Sequence, residues 1–336
     1  MKALVLEAYN KLVYKEVDDP TYKSDEVLVR VKAVGICGSD VHGMDGSTGR
    51  RQPPIIMGHE AAGEIVAVGK NVKSWQIGDR VTFDSTIYQM DDWYSRRGEY
   101  NLSDNRMVLG VSCDDYHRNG AFAEFLNVPA HILYKIPGKV SFEQAALVEP
   151  FAVAAHAISL SHFQLNDTVV IIGAGLIGLS VIHLLKINGA GNIIVVDKDK
   201  YRLEQAAEIG ADHTFTPTDE LQHVVQQLTQ GRGADLAFEA VGVSETITAA
   251  IHSVRKGATV TLVGNISPMV NIPLQAVVTR QIKLQGSCAI AGEYPLILSL
   301  MSAGRINPNK LISKVAPLSE GAQWFDKLYR QEPGLL

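Results

Sequence analysis

The stretch Thr168-Val169-Val170-Ile171-Ile172-Gly173-Ala174-Gly175-Leu176-Ile177-Gly178 decides how this chain folds. Its first five residues carry no charge and form too short a run for a helix, as expected of a strand buried on both faces of a parallel sheet. Three glycines follow at G-x-G-x-x-G spacing, and a helix is expected from Leu176 to Lys186. In that context the first glycine permits the turn, the second lets backbone approach a pyrophosphate, and the third lets helix meet strand. Leu176 and Ile177 open the helix, whose unpaired N–H groups would face the phosphates. Asp197 closes the next apolar run, Ile193-Ile194-Val195-Val196, where a ribose-binding acid belongs. A carboxylate there accepts from a ribose 2′-hydroxyl and repels a 2′-phosphate, favouring NAD over NADP, while Lys198 and Lys200 pull the other way. Arg202 and Val263 complete the residues expected against the cofactor.

Working outward from this unit, strand and helix keep alternating after Pro150. A helix is expected from about Tyr201 to Ile209, and strands at Leu236-Ala237-Phe238 and from Ala258 to Val263. Such alternation implies right-handed crossovers and a doubly wound parallel sheet, an α/β fold. Before Pro150 the pattern is short β-branched runs broken by Gly, Pro and Asp, such as Glu26 to Val34 and Gly63 to Gly69, which read as an antiparallel sheet or barrel. Beyond Gly286 come two amphipathic stretches, Tyr294 to Met301 and Gln323 to Leu328, too little for a third domain. The expected organisation is residues 1–150 as a first domain, 151–287 as the nucleotide-binding domain, and 288–336 returning to the first.

The chain has 336 residues, enough for two domains. Thirty-one basic against thirty-six acidic residues leave a formal charge of −5, with no basic excess to neutralise a nucleic-acid backbone. No run of about 18 apolar residues occurs, and the apolar start is too short for a signal peptide, so a cytoplasmic protein without membrane contact is expected. The three cysteines, Cys37, Cys113 and Cys288, lie too far apart for a disulfide framework or a local metal cluster.

Two segments carry the chemistry: Gly35-Ile36-Cys37-Gly38-Ser39-Asp40-Val41-His42 and Gly58-His59-Glu60-Ala61-Ala62-Gly63-Glu64. A thiolate and an imidazole are good zinc ligands. Taken singly, a lone Cys or His more often packs in a core than binds metal. Together with the nucleotide motif, Gly78-Asp79-Arg80-Val81 and Leu147-Val148-Glu149-Pro150, they make the chain resemble the medium-chain zinc-dependent alcohol and polyol dehydrogenases over essentially its whole length, especially the sorbitol and threonine dehydrogenase branch. The resemblance implies a GroES-like β-barrel catalytic domain beside the Rossmann domain. It implies that Cys37 and His59 bind a catalytic Zn²⁺, that Glu149 supplies a third ligand directly or through water, and that Glu60 is an adjacent or alternate one. Thiolate, carboxylate and neutral imidazole balance the ion's charge and leave a position for a substrate oxygen. By the same resemblance Ser39 takes the alcohol's proton and passes it through the nicotinamide ribose to His42, with Asp40 orienting the site between them. Ser39 and Asp40 also suit a helix N-cap.

The sequence departs from the family at one lobe. Relatives with a second, structural zinc carry C-x2-C-x2-C-x7-C there, whereas Tyr88 to Asn105 holds Gln89, Asp92, Ser95 and Ser103 at those positions. An amide and hydroxyls do not replace thiolates in a tetrahedral zinc site, so this metal is expected to be absent. The lobe is expected to rely on Trp93, Tyr94 and Tyr100 and on salt bridges among Asp91, Asp92, Arg96 and Arg97. Relatives also continue with a short strand past Pro333-Gly334, and the stop at Leu336 is what a truncation would leave. Cys113, Cys288 and His156 read as packing residues, and Arg50 and Arg51 as a solvated loop pair that could otherwise greet an anionic substrate.

The reading is an NAD- and zinc-dependent dehydrogenase that oxidises a secondary alcohol of a polyol or similar vicinal-hydroxyl substrate in a cleft between its domains, as a homo-oligomer, dimer or tetramer. A threonine or 2,3-butanediol type dehydrogenase with the same site is the nearest alternative. A zinc-free NADPH quinone reductase is disfavoured by Cys37, His59 and Asp197 together. From another class comes an inactive NAD-binding structural or sensor protein.

Overall fold

The residues before Pro150 pair antiparallel, and those after it pair parallel. The computed structural model describes residues 1–217 and 220–336. It divides into two compact units, Met1–Glu149 with Ile290–Leu335, and Pro150–Ala289 with Leu336.

In the first unit β1 (Lys2–Ala8) and β2 (Lys11–Glu16) form a hairpin, and β1 also pairs with the short strand Ile55–Ile56. A second sheet holds β3 (Glu26–Val34), β4 (Ala61–Val68), β5 (Arg80–Phe83), β6 (Phe125–Pro129) and β7 (Leu133–Lys135) in the order β6-β3-β4-β5-β7, all antiparallel. Val27, Val29, Ile65, Val81, Phe83, Leu126 and Val128 from its strands pack as one buried cluster. The residues after Ile290 contribute to this unit through Phe325, fully buried and edge-on to Phe122 with ring centroids 5.4 Å apart.

The second unit contains β8 (Thr168–Ile172), β9 (Asn192–Val196), β10 (His213–Phe215), β11 (Ala234–Glu239), β12 (Val254–Leu262) and β13 (Lys283–Gly286). They form one all-parallel sheet in the order β10-β9-β8-β11-β12-β13. All five residues of β8 are buried, which follows from its place in the sheet's interior with helices covering both faces. The order reverses between β8 and β11, the switch point where doubly wound sheets place their ligands. Expected element boundaries move by only a few residues: the first crossover helix runs Leu176–Asn188 and the second Lys200–Ile209.

The lobe keeps its convergence through oxygen and nitrogen. Asp92 accepts from the Ser95 N–H at 2.7 Å and from the Ser103 hydroxyl, and Ser103 Oγ in turn accepts from the Gln89 N–H at 3.2 Å. All four positions that carry thiolates in zinc-bearing relatives therefore still meet, around a carboxylate. The expected salt bridges are partly replaced: Asp92 is taken up by these donors, while Arg97 lies 4.5 Å over the Trp93 ring and 3.7 Å from Glu99. Trp93 stays largely exposed, so it shields a charge rather than packing inside. The lobe is tied down by Tyr100, stacked on Tyr88 at 4.4 Å and donating its hydroxyl to Asp84 at 2.8 Å.

Asp84 has no solvent exposure, and burial lifts its carboxyl to about 6 from the usual 3.8 despite bonds from the Thr86 N–H and Tyr100. A raised carboxyl pKa leaves the fold unpenalised below pH 3.8 and increasingly penalised as the pH climbs through about 6, because only the folded state must hold the charge in a dry site. Asp84→Asn should flatten this part of the stability profile. In denaturant titrations the variant is expected to gain on the parent by on the order of 3 kcal/mol between pH 4 and pH 8, and a constant difference across that range would contradict the assignment.

Candidate metal centre and cofactor loop

Three side chains from two chain segments converge in the first unit. Cys37 precedes the short helix α1 (Gly38–Gly43), and His59 and Glu60 lead into β4. Their ligand atoms, the thiolate sulfur, an imidazole nitrogen and a carboxylate oxygen, all lie within 4.8 Å of one another. The Gly35 N–H donates to the Glu60 carbonyl at 2.8 Å, and a Cβ on Gly35 would strike the Glu60 carboxylate, so this glycine keeps the space into which Glu60 folds.

Burial governs the electrostatics of this cluster. Burial pushes the Cys37 thiol up, helped by the neighbouring Glu60 carboxylate. Burial also raises Glu60. Glu149, in the first turn of the helix Val148–Leu160, lies outside the close cluster but feels it: burial lifts its carboxyl to about 8, eased by His59 and reinforced by Glu60. Glu60 Oε2 is buried without a hydrogen-bond partner, which burial makes costly. One sulfur, one imidazole and two carboxylates suit zinc.

Asp40 has no solvent exposure and sits behind His59, its Oδ2 3.4 Å from the ring Nδ1. Burial opposes its charge, yet His59 and the Arg51 guanidinium together hold the carboxyl down to about 2. The capping reading of Ser39 and Asp40 does not hold: the N-cap of α1 is Cys37, without a side-chain cap bond, and Asp40 turns inward. Arg51 corrects a second expectation. It is only 4% exposed, donating Nε and Nη2 to Asp40 Oδ1 at 3.1 and 2.8 Å, rather than standing solvated on its loop. Reasoning from sequence missed it because nothing local distinguishes it from the exposed Arg50 beside it. Ser39 is exposed with its hydroxyl 3.4 Å from Cys37 Sγ, and His42 is exposed four residues into the same helix. Cys113 and Cys288 are half-buried, and His156 is buried.

In the second unit Gly173 has a φ of 96°, open to glycine at no cost, and a Cβ on Gly178 would collide with the Gly173 carbonyl. Gly175 differs. Its φ is −72°, and a Cβ there would meet nothing nearer than Arg202 Nη1 at 3.8 Å. The protein itself therefore makes no demand for glycine at this position, and its absence of a side chain leaves the backbone open to close approach. Asp197 accepts from the Ala174 N–H at 2.7 Å and the Asp199 N–H at 2.8 Å, joining the end of β9 to the glycine turn. Arg202 Nε is buried without a hydrogen bond, 3.8 Å from Asp199 Oδ2. Val263 follows β12, its N–H bonded to the Glu239 carbonyl at 2.9 Å. These features suit a dinucleotide.

Comparison with known proteins agrees with this geometry. The alcohol dehydrogenase GroES-like domain family matches residues 23–138, and the zinc-binding dehydrogenase family matches residues 177–303. The chain is 34% identical to a sorbitol dehydrogenase of Bacillus subtilis, over 93% of this chain and 89% of that protein. It is 33% identical to a D-arabitol-phosphate dehydrogenase of Enterococcus avium, over 95% and 91%. An alcohol dehydrogenase structure from a Thermus species superposes with a TM-score of 0.93 at 31% identity, covering 99% of this chain and 98% of that one.

Asp197→Ala removes the carboxylate that accepts from two backbone N–H groups, and the expected ribose contact with it. Titration of the protein with NAD, followed by fluorescence or calorimetry, should show binding at least tenfold weaker, with NADP losing less. Unchanged NAD affinity would remove Asp197 from the cofactor site.

Proposed function

Because this chain belongs to the zinc-binding, medium-chain alcohol dehydrogenase family, we propose that it oxidises a secondary hydroxyl of a polyol or vicinal diol to a ketone with NAD as acceptor. The observation that carries the reading is the convergence of Cys37, His59 and Glu60, whose ligand atoms lie within 4.8 Å of one another, with the buried Glu149 coupled to them electrostatically. When bound, zinc acidifies a hydroxyl and the nicotinamide accepts a hydride. The chain's own work is then to hold, orient and deprotonate. Cys37, His59 and one or both carboxylates, Glu60 and Glu149, hold the metal. Asp40 orients His59. Ser39 stands beside Cys37 to receive a proton, and His42 is exposed to release it to water. Gly173, Gly175, Leu176, Ile177, Gly178, Asp197, Arg202 and Val263 form the NAD site. In this reading the first unit is the catalytic domain and the second the nucleotide-binding domain. The polyol preference is supported by the relatives named above. A cytoplasmic placement is part of this proposal; among the described residues no helix is long and apolar enough to cross a membrane.

A homo-oligomer is part of the same proposal. Strand β13 ends the parallel sheet, and near it Ile266, Met269, Val270, Ile272, Leu274 and Val278 are exposed, Met269 by 88% and Val278 by 68%. The helix Leu274–Thr279 buries none of its residues. An open sheet edge beside exposed apolar residues favours pairing with a second copy.

Purified protein should contain about one zinc per chain and reduce NAD with a member of a panel of sorbitol, xylitol, galactitol phosphate, threonine and butanediol, losing activity to a chelator. Cys37→Ser should lower kcat/KM on the order of a thousandfold, the several kcal/mol a Lewis-acidic metal contributes. Full zinc content and turnover in that variant would refute the site, two zincs per chain would refute the metal-free lobe, and turnover of threonine alone would move the substrate class. Val278→Glu should shift the mass measured by light scattering toward the monomer, and an unchanged mass would move the interface elsewhere.

A further inference from the structure

We infer that Arg51, outside both the ligand set and the proton path, is the positioning residue of the metal centre: it holds Asp40 so that His59 offers a single, oriented nitrogen to the ion. This rests on the metal-site reading above. Arg51 donates twice to one oxygen of Asp40, Oδ1, leaving Oδ2 to face His59 Nδ1 at 3.4 Å. Oδ2 and Nδ1 are each buried with no other hydrogen-bond partner, so each has only the other to turn to. An imidazole whose Nδ1–H is directed at a carboxylate presents Nε2 as its lone-pair donor, the arrangement that fixes tautomer and ring orientation at metal sites.

The rest of the guanidinium is also committed. Nη1 donates to the Arg50 carbonyl at 3.0 Å and Nη2 reaches the Ser39 hydroxyl at 3.4 Å, so one planar cation touches both the group that orients His59 and the group proposed to receive the proton. The backbone at Arg51 is pinned by a bridge to Ser112, with the Gln52 N–H donating to the Ser112 carbonyl at 3.0 Å. A second, independent feature makes room for it. Gly43 ends α1 without a positive φ, so its backbone does not call for glycine, yet a Cβ there would strike Arg51 Cγ. The pair Gly43 and Arg51 thus acts as one device: the missing side chain is the channel through which the arginine reaches Asp40. Charge explains why an arginine is used. Asp40 adds a negative charge beside a thiol and two carboxyls, and a fixed bidentate cation offsets it without competing for the metal position.

The test uses the whole protein stripped of metal by a chelator, then titrated with zinc against a chromophoric chelator and separately reconstituted with Co²⁺. Arg51→Met is expected to weaken zinc binding by about 10- to 100-fold and to shift the cobalt d–d bands. Arg51→Lys should recover part of the affinity by restoring charge without the fork, and Gly43→Ala should move affinity and spectrum in the direction of Arg51→Met. Zinc affinity within twofold of the parent and an unmoved cobalt spectrum in Arg51→Met, with only a lowered Tm, would make Arg51 structural and overturn the inference. If Arg51→Met does not fold, Arg51→Lys and Gly43→Ala decide by the same two readouts. A parent protein that takes up no zinc overturns the metal-site reading and this inference together, whereas a parent that binds tightly beside indifferent variants overturns this inference alone.

Discussion

A carboxylate with no access to water, Asp40, governs how the first unit presents its chemistry. Left alone, such a charge would take up a proton. Here it is held ionised between Arg51 and His59, and burial is turned from a penalty into a means of orientation, because neither partner has a competing solvent contact. Around it lie Cys37, Glu60 and Glu149, all pushed toward their protonated forms. Cys37, His59 and Glu60 bring their ligand atoms within 4.8 Å of one another in front of it.

In the second unit the glycine turn is shaped mainly by backbone geometry. Two internal demands act on it, the left-handed backbone at Gly173 and the tight meeting of Gly178 with the Gly173 carbonyl, while Gly175 leaves the backbone open to close approach. Asp197 is bonded to the turn through the Ala174 N–H, so the carboxylate at the end of β9 also braces the glycine loop. The lobe around Asp92 shows the same economy in a different setting: a carboxylate gathers the four positions where relatives place thiolates, and Tyr100 fastens the result to a buried acid beneath.

The parallel sheet and its crossover helices were legible in the sequence because a strand buried on both faces must be apolar along its length, and Gly173 and Gly178 sit where backbone geometry requires glycine. Cys37, His59 and Glu60 were legible only through the motifs surrounding them, since each taken singly has an ordinary packing role. Arg51 was not legible at all. Its burial arises from a contact with Asp40 across eleven residues and from the space left by Gly43, neither of which leaves a local pattern. The lobe was half legible: residue types excluded thiolate ligation, but salt bridges were expected where hydrogen bonds to Asp92 formed.

By itself, then, the sequence determined which elements form, where the nucleotide turn lies, and which side chains have the chemistry to hold a metal. These follow from periodicity, backbone freedom and ligand type, all of which are local. Only the tertiary structure decided how those side chains are charged and aimed: that Asp40 points inward, that Arg51 is spent on it, and that Glu149 stands just outside the closest three. Protonation and orientation depend on desolvation and on through-space partners, and those exist only once distant segments have packed together.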